Sequence, residues 1–281
     1  MIIFKKAIDL QFYLGKKAAQ TGFVPTMGAL HSGHISLVES SKKDNQKTVC
    51  SIFVNPVQFN DPKDFEKYPI TIERDIRLLE AAGCDILFLP SVAEVYPNGS
   101  TQTVFYDLGY LESVLEGHFR PGHFQGVCMV MDRLLDIVHC HNLYIGQKDY
   151  QQCMVIKKLV IIKGIDSSLN VNICPTLREP DGLAMSSRNM RLDEKERLTA
   201  TTIYKTLCYL RDNYKKATIA ELKPKAEQLL IQNGFKPDYI EIADAENLEL
   251  INEWDGKKKI VALVAAFLND VRLIDNMILN Q

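Results

Sequence analysis

No apolar stretch in the 281-residue chain is long enough to cross a bilayer: the longest, 260–268, falls far short of the roughly 20 residues a helical span needs. The opening MIIFKKAIDLQFYLGKK breaks every apolar stretch with Lys or Asp, so it holds no signal-peptide core. Cysteine is present but unpatterned. Seven residues, at 50, 84, 128, 140, 153, 174 and 208, are an odd number without a single C-x-x-C. They argue against a disulfide framework and a zinc ribbon and point to a reducing, cytoplasmic compartment. An excess of either charge is also missing. Against 35 acidic side chains stand 33 basic ones, a net charge of -2, so nucleic acid is not expected as a partner and any anion site must be local. No period of 20 to 50 residues recurs and no tract is compositionally biased, which removes solenoids and tails. His139-Cys140-His141 is not read as a metal site, because adjacent residues do not easily converge on one ion.

What is there is a globular composition, 46% hydrophobic and 24% charged, with enough apolar residue to bury a large core. The length favours two domains, since single cores stop growing near about 250 to 300 residues. Apolar runs at 23–24, 49–54, 86–89, 143–145 and 171–173 are bounded by turn residues and read as strands buried on both faces. Helical patterns at 71–82 and 149–162 end at Gly83 and Gly164. Alternation of strand and helix predicts an α/β fold: a Rossmann-like, doubly wound parallel sheet over residues 1–175. Beyond Pro175 the texture changes to amphipathic helices at 194–213 and 219–232 and strands at 239–242, 260–267 and 271–274. This predicts a smaller C-terminal α+β domain, residues 176–281, serving as a lid. Ligands then belong at the domain cleft and at the carboxyl ends of the parallel strands.

Three segments sit where such a fold binds anions. The first, PTMGALHSGH, follows the first buried strand and opens a helix, with glycines for close backbone approach, amides at a helix start and two histidines three residues apart. It lacks the G-x-x-x-x-G-K-[ST] pattern of a Walker loop. The second, GQKDYQQ, places Lys148 at a helix start, where a bound phosphate would offset its unfavourable position in the helix dipole, and sets Asp149 and Gln152 on one face. The third, LREPDGLAMSSRN, offers two hydroxyls and a guanidinium on a loop that Gly182 frees to move, a suitable clamp for a polyphosphate tail. Taken singly, each is equally readable as structure: a Gly-containing turn, a capped helix, a polar linker. Asn55 and Gln58 in NPVQF suit a small polar substrate, and Asp75 suits a carboxylate on the Mg²⁺ side, against plain roles as turn cap and helix surface. The turn-rich run 115–124 reads as a lid or an exposed loop.

Together with SIFVNPVQF, LEGHFRPGHFQGV and the closing RLIDN, these segments in this order make the chain resemble the pantothenate synthetase family, ATP-dependent ligases of the nucleotidyltransferase superfamily. The resemblance covers nearly the whole chain. It implies condensation of pantoate with β-alanine through a pantoyl adenylate, with release of pyrophosphate and then AMP, in a homodimer using ATP and Mg²⁺. It further implies an ATP loop of Met27, Gly28, Ala29, Leu30, His31, Ser32, Gly33 and His34, with His34 as proton donor and His31 bracing phosphate. Gly146, Gln147, Lys148 and Asp149 would lie on ribose and phosphate, Leu177 on adenine, and Met185, Ser186, Ser187 and Arg188 on the β and γ phosphates. His31, His34, Lys148 and Arg188 would be the catalytic set, Gln58 and Gln152 the pantoate and β-alanine contacts, and Asp75 the magnesium-side carboxylate. Two positions depart from the family pattern: Ile70 stands where Arg is usual after Tyr-Pro, and Met129 where Thr is common.

Overall fold

The apolar runs at the start of the chain pair side by side, all parallel. They are β2 (Thr21–Thr26), β3 (Lys47–Ile52), β4 (Ile86–Phe88), β5 (Asn142–Gly146) and β6 (Asn170–Cys174). A sixth strand, β1 (Ile2–Phe4), adds to the edge of β4 through Ile2↔Ile86 and Phe4↔Phe88. It is not among the expected strands, because a three-residue edge strand with Ile2 and Ile3 exposed lacks the buried-run pattern. Coordinates come from a computed structural model that describes residues 1–15, 19–59, 65–101 and 104–280; Lys16 and Lys17 of the opening run lie outside them.

Strand order is β1-β4-β3-β2-β5-β6. The order therefore reverses between β2 and β5, whose carboxyl ends are where a doubly wound sheet takes its ligands. Helices α1 (Ala7–Gly15), α2 (Ser32–Asp44), α3 (Ile72–Ala81), α4 (His123–Val138) and α5 (Tyr150–Ile162) supply the connections. The expected helices at 71–82 and 149–162 are thus α3 and α5. The run 115–124 is not an exposed loop. It forms a short helix, Leu115–Phe119, and the start of α4, with Leu115, Glu116, His123, Phe124 and Gln125 all buried. Its glycines and proline hid a helical spacing, Phe124, Val127, Cys128, Met131, Leu134, Leu135 and Val138, that only becomes plain beyond Gly126.

Two compact units result: Met1–Gly146 with Val155–Pro175, and Gln147–Met154 with Thr176–Gln281. The chain passes to the second unit for good at Thr176, but the short segment Gln147–Met154 goes with that unit too. The cause is visible in its bonds. Asn276 Nδ2 donates to the carbonyls of Gln147 and Lys148, and Tyr150 Oη donates to Ala245 O.

The second unit holds an antiparallel sheet of β7 (Phe235–Asp244), β8 (Ile260–Leu268) and β9 (Val271–Ile278), in that order. After the short helix α6 (Glu194–Thr199), α7 (Thr201–Asn213) and α8 (Ile219–Gln232) pack against it, and their Leu207, Leu210, Leu222 and Leu230 form one core with Phe235, Ile242 and Val264. The single helix expected over 194–213 is divided at Ala200. Thr199 and Thr201 turn their hydroxyls back onto the carbonyls of Lys195 and Leu198, a local competition that bends helices. The fold class is the expected one, an α/β doubly wound sheet with a smaller α+β unit. Among the described residues no helix is long and apolar enough to cross a membrane.

Leu207 is fully buried in the second core. Leu207→Ala removes three methyl(ene) equivalents from a close-packed site and should lower stability by about 2–5 kcal/mol, read as a shifted urea midpoint.

Candidate active site

Strand β2 ends at Thr26, whose carbonyl accepts from Phe53 N (3.0 Å) and whose hydroxyl donates to Ser51 O (2.7 Å) while accepting from Gly28 N (3.2 Å). The chain then reverses through two left-handed residues, Gly28 at φ 81° and Ala29 at φ 49°. A β-carbon at Gly28 would stand 3.0 Å from Ile52 Cγ2 and 3.2 Å from Asp75 Oδ2, so glycine is needed for both conformation and space. What holds Ala29 in an unfavourable region is Asp75, fully buried in the first turn of α3. Its Oδ2 accepts from Ala29 N at 2.8 Å and its Oδ1 from Leu30 N at 2.8 Å and Thr71 Oγ1 at 3.0 Å. Three donors satisfy the carboxylate within the protein, as burial of a charge requires. Asp75 is therefore the anchor of the turn.

From that turn α2 begins. His31 is its N-cap: His31 Nδ1 accepts from Gly33 N (3.2 Å), and His34 Nδ1 accepts from His31 N (3.3 Å), a reciprocal cap made by two imidazoles. Their rings lie 4.0 Å apart between centroids. Both Nδ1 atoms accept, so this network places a ring proton on each Nε2, beside the positive end of a thirteen-residue helix. Ser32 and Gly33 contribute the first helical amides.

Met27, at the head of the turn, meets the NPVQF segment. Gln58 Nε2 donates to Met27 Sδ (2.9 Å), while Gln58 Oε1 accepts from Asn55 Nδ2 (3.2 Å). Asn55 itself is fully buried and saturated: Nδ2 also donates to Gly126 O (3.1 Å), and Oδ1 accepts from Val57 N (3.3 Å) and Tyr96 Oη (2.9 Å). It holds Gln58 rather than a substrate. Sequence reasoning also missed His123. Arg120 Nη1 lies 3.0 Å from His123 Nε2, and a guanidinium can only donate, so Nε2 accepts and the Nδ1 proton goes to Gln58 O at 2.8 Å. The signal available was the second histidine of LEGHFRPGH, read there as loop. Within the first unit, then, the histidine turn, Asp75 and Gln58 are one bonded assembly, and Gly146 ends β5 one strand away from β2.

The second unit carries the rest of the expected residues. Gln147, Lys148 and Asp149 form a 3-10 turn leading into α5, with Lys148 Nζ 3.4 Å from Asp149 Oδ1 and Gln152 half-buried one turn on. The Lys148 charge thus has a carboxylate neighbour of its own. Residues 177–189 are no free linker. Arg178 and Ala184 bridge antiparallel, Glu179 N donates to Leu183 O (2.8 Å), and Met185 N donates to the carbonyl of Leu177 (3.0 Å). Gly182 is not a hinge: at φ 93°, a β-carbon there would sit 2.1 Å from the Tyr204 ring. Ser186 caps the turn Ser187–Arg191, its Oγ accepting from Arg188 N (3.3 Å), and Ser187 is buried. Elsewhere, His141 of the rejected H-C-H triplet accepts from Thr21 N through Nδ1 (3.1 Å), a structural bond.

The Asp75 assignment can be checked without substrate. Asp75→Asn sets an amide N–H₂ against buried N–H donors, and leaving one unpaired should cost the ligand-free protein about 1–3 kcal/mol in thermal or urea unfolding. Unchanged stability, with a defect seen only in the presence of Mg-ATP, would return Asp75 to the metal.

This geometry has close counterparts. The family model described as pantoate-beta-alanine ligase matches residues 3–278. The pantothenate synthetase of Cytophaga hutchinsonii is 46% identical over 269 residues, 94% of this chain and 93% of that protein, and that of Fervidobacterium nodosum is 42% identical over 266 residues, 94% and 93%. Among solved structures, pantothenate synthetase from Thermus thermophilus superposes with a TM-score of 0.93 at 38% identity, covering all of both chains. Pantoate-beta-alanine ligase from Francisella tularensis, complexed with beta-gamma ATP and beta-alanine, does so with a TM-score of 0.83 at 38% identity, covering 100% of this chain and 98% of that one. A family model spanning nearly the full length, and relatives well above 30% identity over more than nine-tenths of it, place this chain in the pantoate–β-alanine ligase family.

Proposed function

We propose that this protein joins pantoate to β-alanine with cleavage of ATP in two steps, using the residues described above. The pantoate carboxylate attacks the α-phosphorus, the bond to the bridging oxygen breaks and pyrophosphate leaves. The β-alanine amine then attacks the acyl carbon of the adenylate, a C–N bond forms, and AMP departs with the carboxylate oxygen. The observation that carries this reading is the Met27–His34 turn: a strained, carboxylate-anchored bend at the carboxyl end of β2 that ends in two N–H-bearing imidazoles at a helix start.

The first step brings two anions together, a repulsion of roughly 4 kcal/mol for unit charges 4 Å apart at an effective dielectric near 20. His31 and His34 oppose it as hydrogen-bond donors, and Lys148 and Arg188 as cations; Gly146, Gln147 and Asp149 face ribose and phosphate, Leu177 faces adenine, and Met185, Ser186 and Ser187 close on the phosphate tail. Gln58 and Gln152 bind pantoate, with Gln58 also meeting β-alanine. Alignment of the reactants can contribute about 7–11 kcal/mol, and exclusion of water protects the acyl adenylate. Magnesium bound with ATP would supply shielding of its phosphate charge; the Asp75 carboxylate, engaged by three protein donors, is not assigned to it. We further assign the protein to the cytoplasm and to a homodimer, the latter on the family resemblance.

With ATP, Mg²⁺ and pantoate the protein should release pyrophosphate, and AMP release should require β-alanine; AMP formation indifferent to both acids would sink the assignment. His34→Ala should slow pyrophosphate release about a hundredfold, the usual cost of one donor to developing charge. In Gln152→Ala the KM for pantoate should rise while that for ATP stays near wild type; equal losses would remove Gln152 from the acid pocket. Sedimentation at micromolar concentration tests the dimer.

A further inference from the structure

Strand β9 breaks its own alternation. Asp275 and Asn276 are consecutive and both buried, at 5% and 2% exposure, although successive residues of a strand face opposite sides. Both polar side chains are therefore covered, one on each face, and each must be fully bonded. Their partners are two different segments proposed to meet ATP. On one face Asn276 Nδ2 donates to Gln147 O (2.9 Å) and Lys148 O (2.8 Å), and Asn276 Oδ1 accepts from Gln147 Nε2 (3.3 Å). On the other, Arg178 grips Asp275 bidentately, Nη1 to Oδ2 at 2.6 Å and Nη2 to Oδ1 at 3.1 Å. The same guanidinium donates to Asn276 O (3.2 Å) and to Gly182 O (3.1 Å), and lies over the Tyr204 ring. Asn276 N closes the set by donating to Asp275 Oδ1 (2.8 Å). A single dipeptide thus sets the position of the lysine turn and of the loop that carries Met185–Arg188.

We infer that Asp275–Asn276 is a positioning pair for adenylation: it fixes the backbone of the Gln147–Lys148 turn and, through Arg178, the serine–arginine loop in one mutual arrangement. The inference rests on the ATP role proposed for those two segments. Neither residue touches a reacting atom; the chemistry is carried by Lys148 and Arg188, and β9 sets where they start from. Tyr150 separates this effect from pantoate binding, because its bond to Ala245 O (2.7 Å) holds the next turn of α5, and with it Gln152, independently.

The test is a cycle of Asn276→Ala, Lys148→Ala and the double variant, followed as pantoate-dependent pyrophosphate release. Asn276→Ala should lower kcat/KM for ATP about tenfold to a hundredfold, as ångström-scale misplacement does, with KM for pantoate within about twofold of wild type. The double variant should be little worse than Lys148→Ala, since a residue acting through Lys148 has nothing left to position. Additive losses, or equal losses for ATP and pantoate, overturn the positioning role while leaving the ATP site intact. If Lys148→Ala itself leaves ATP kinetics unchanged, the reading of that turn fails and the inference falls with it. Should Asn276→Ala not fold, Asn276→Ser carries the same cycle, because a hydroxyl with one donor cannot span two carbonyls.

Discussion

A buried carboxylate facing two consecutive backbone amides is the constraint on which the site in the first unit depends. Asp75 reaches from α3 to Ala29 and Leu30 and holds the chain in a left-handed bend it would not keep unaided. Only that bend allows His31 to be an N-cap and aims the start of α2, with both histidines, at the carboxyl end of the sheet. Removing a buried charge from water is costly, and the three donors that compensate it make the position of the turn as firm as that of the helix supplying the carboxylate. The helix start is itself largely engaged in the cap, with Gly33 N on His31 Nδ1 and the amides of His34 and Ile35 on His31 O.

The imidazole pair shows how such a constraint shapes chemistry. Each ring commits one nitrogen to the cap, so what it can offer a phosphate oxygen is the opposite edge, with its proton. Protonating Nδ1 of either ring would set N–H against N–H and undo the cap. Under the roles proposed above, the histidine turn would contribute a dipolar share of the charge compensation and Lys148 and Arg188 an ionic one.

Much of this was legible in the sequence, for physical reasons that differ by element. The buried strands announced themselves because parallel strands are apolar on both faces, and α3 because its periodicity is uninterrupted by Gly or Pro. Helix α4 was hidden by the glycine- and proline-rich run that precedes it, and β1 by its brevity and exposure. For other residues the motifs show the position but not the partners: Asp75 and Asn55 are bonded to backbone and side-chain groups from elements distant in sequence. Gly182 looked mobile because its neighbour Tyr204, which fills the space over it, lies a helix away. His123 and Asn276 lie inside quoted motifs, but what they hold is not readable locally, since their bonds close over 65 and 128 residues.

That last separation bears on how the protein is made. Asn276 leaves the ribosome 128 positions after Lys148, so during synthesis the lysine turn must wait, unbraced, until β9 has been translated. The parallel sheet can form earlier from its own strands, yet a nascent chain halted before β9 would have the histidine turn without a settled lysine. Nucleotide binding would then be a late event in biogenesis, reached only by chains whose second unit is finished.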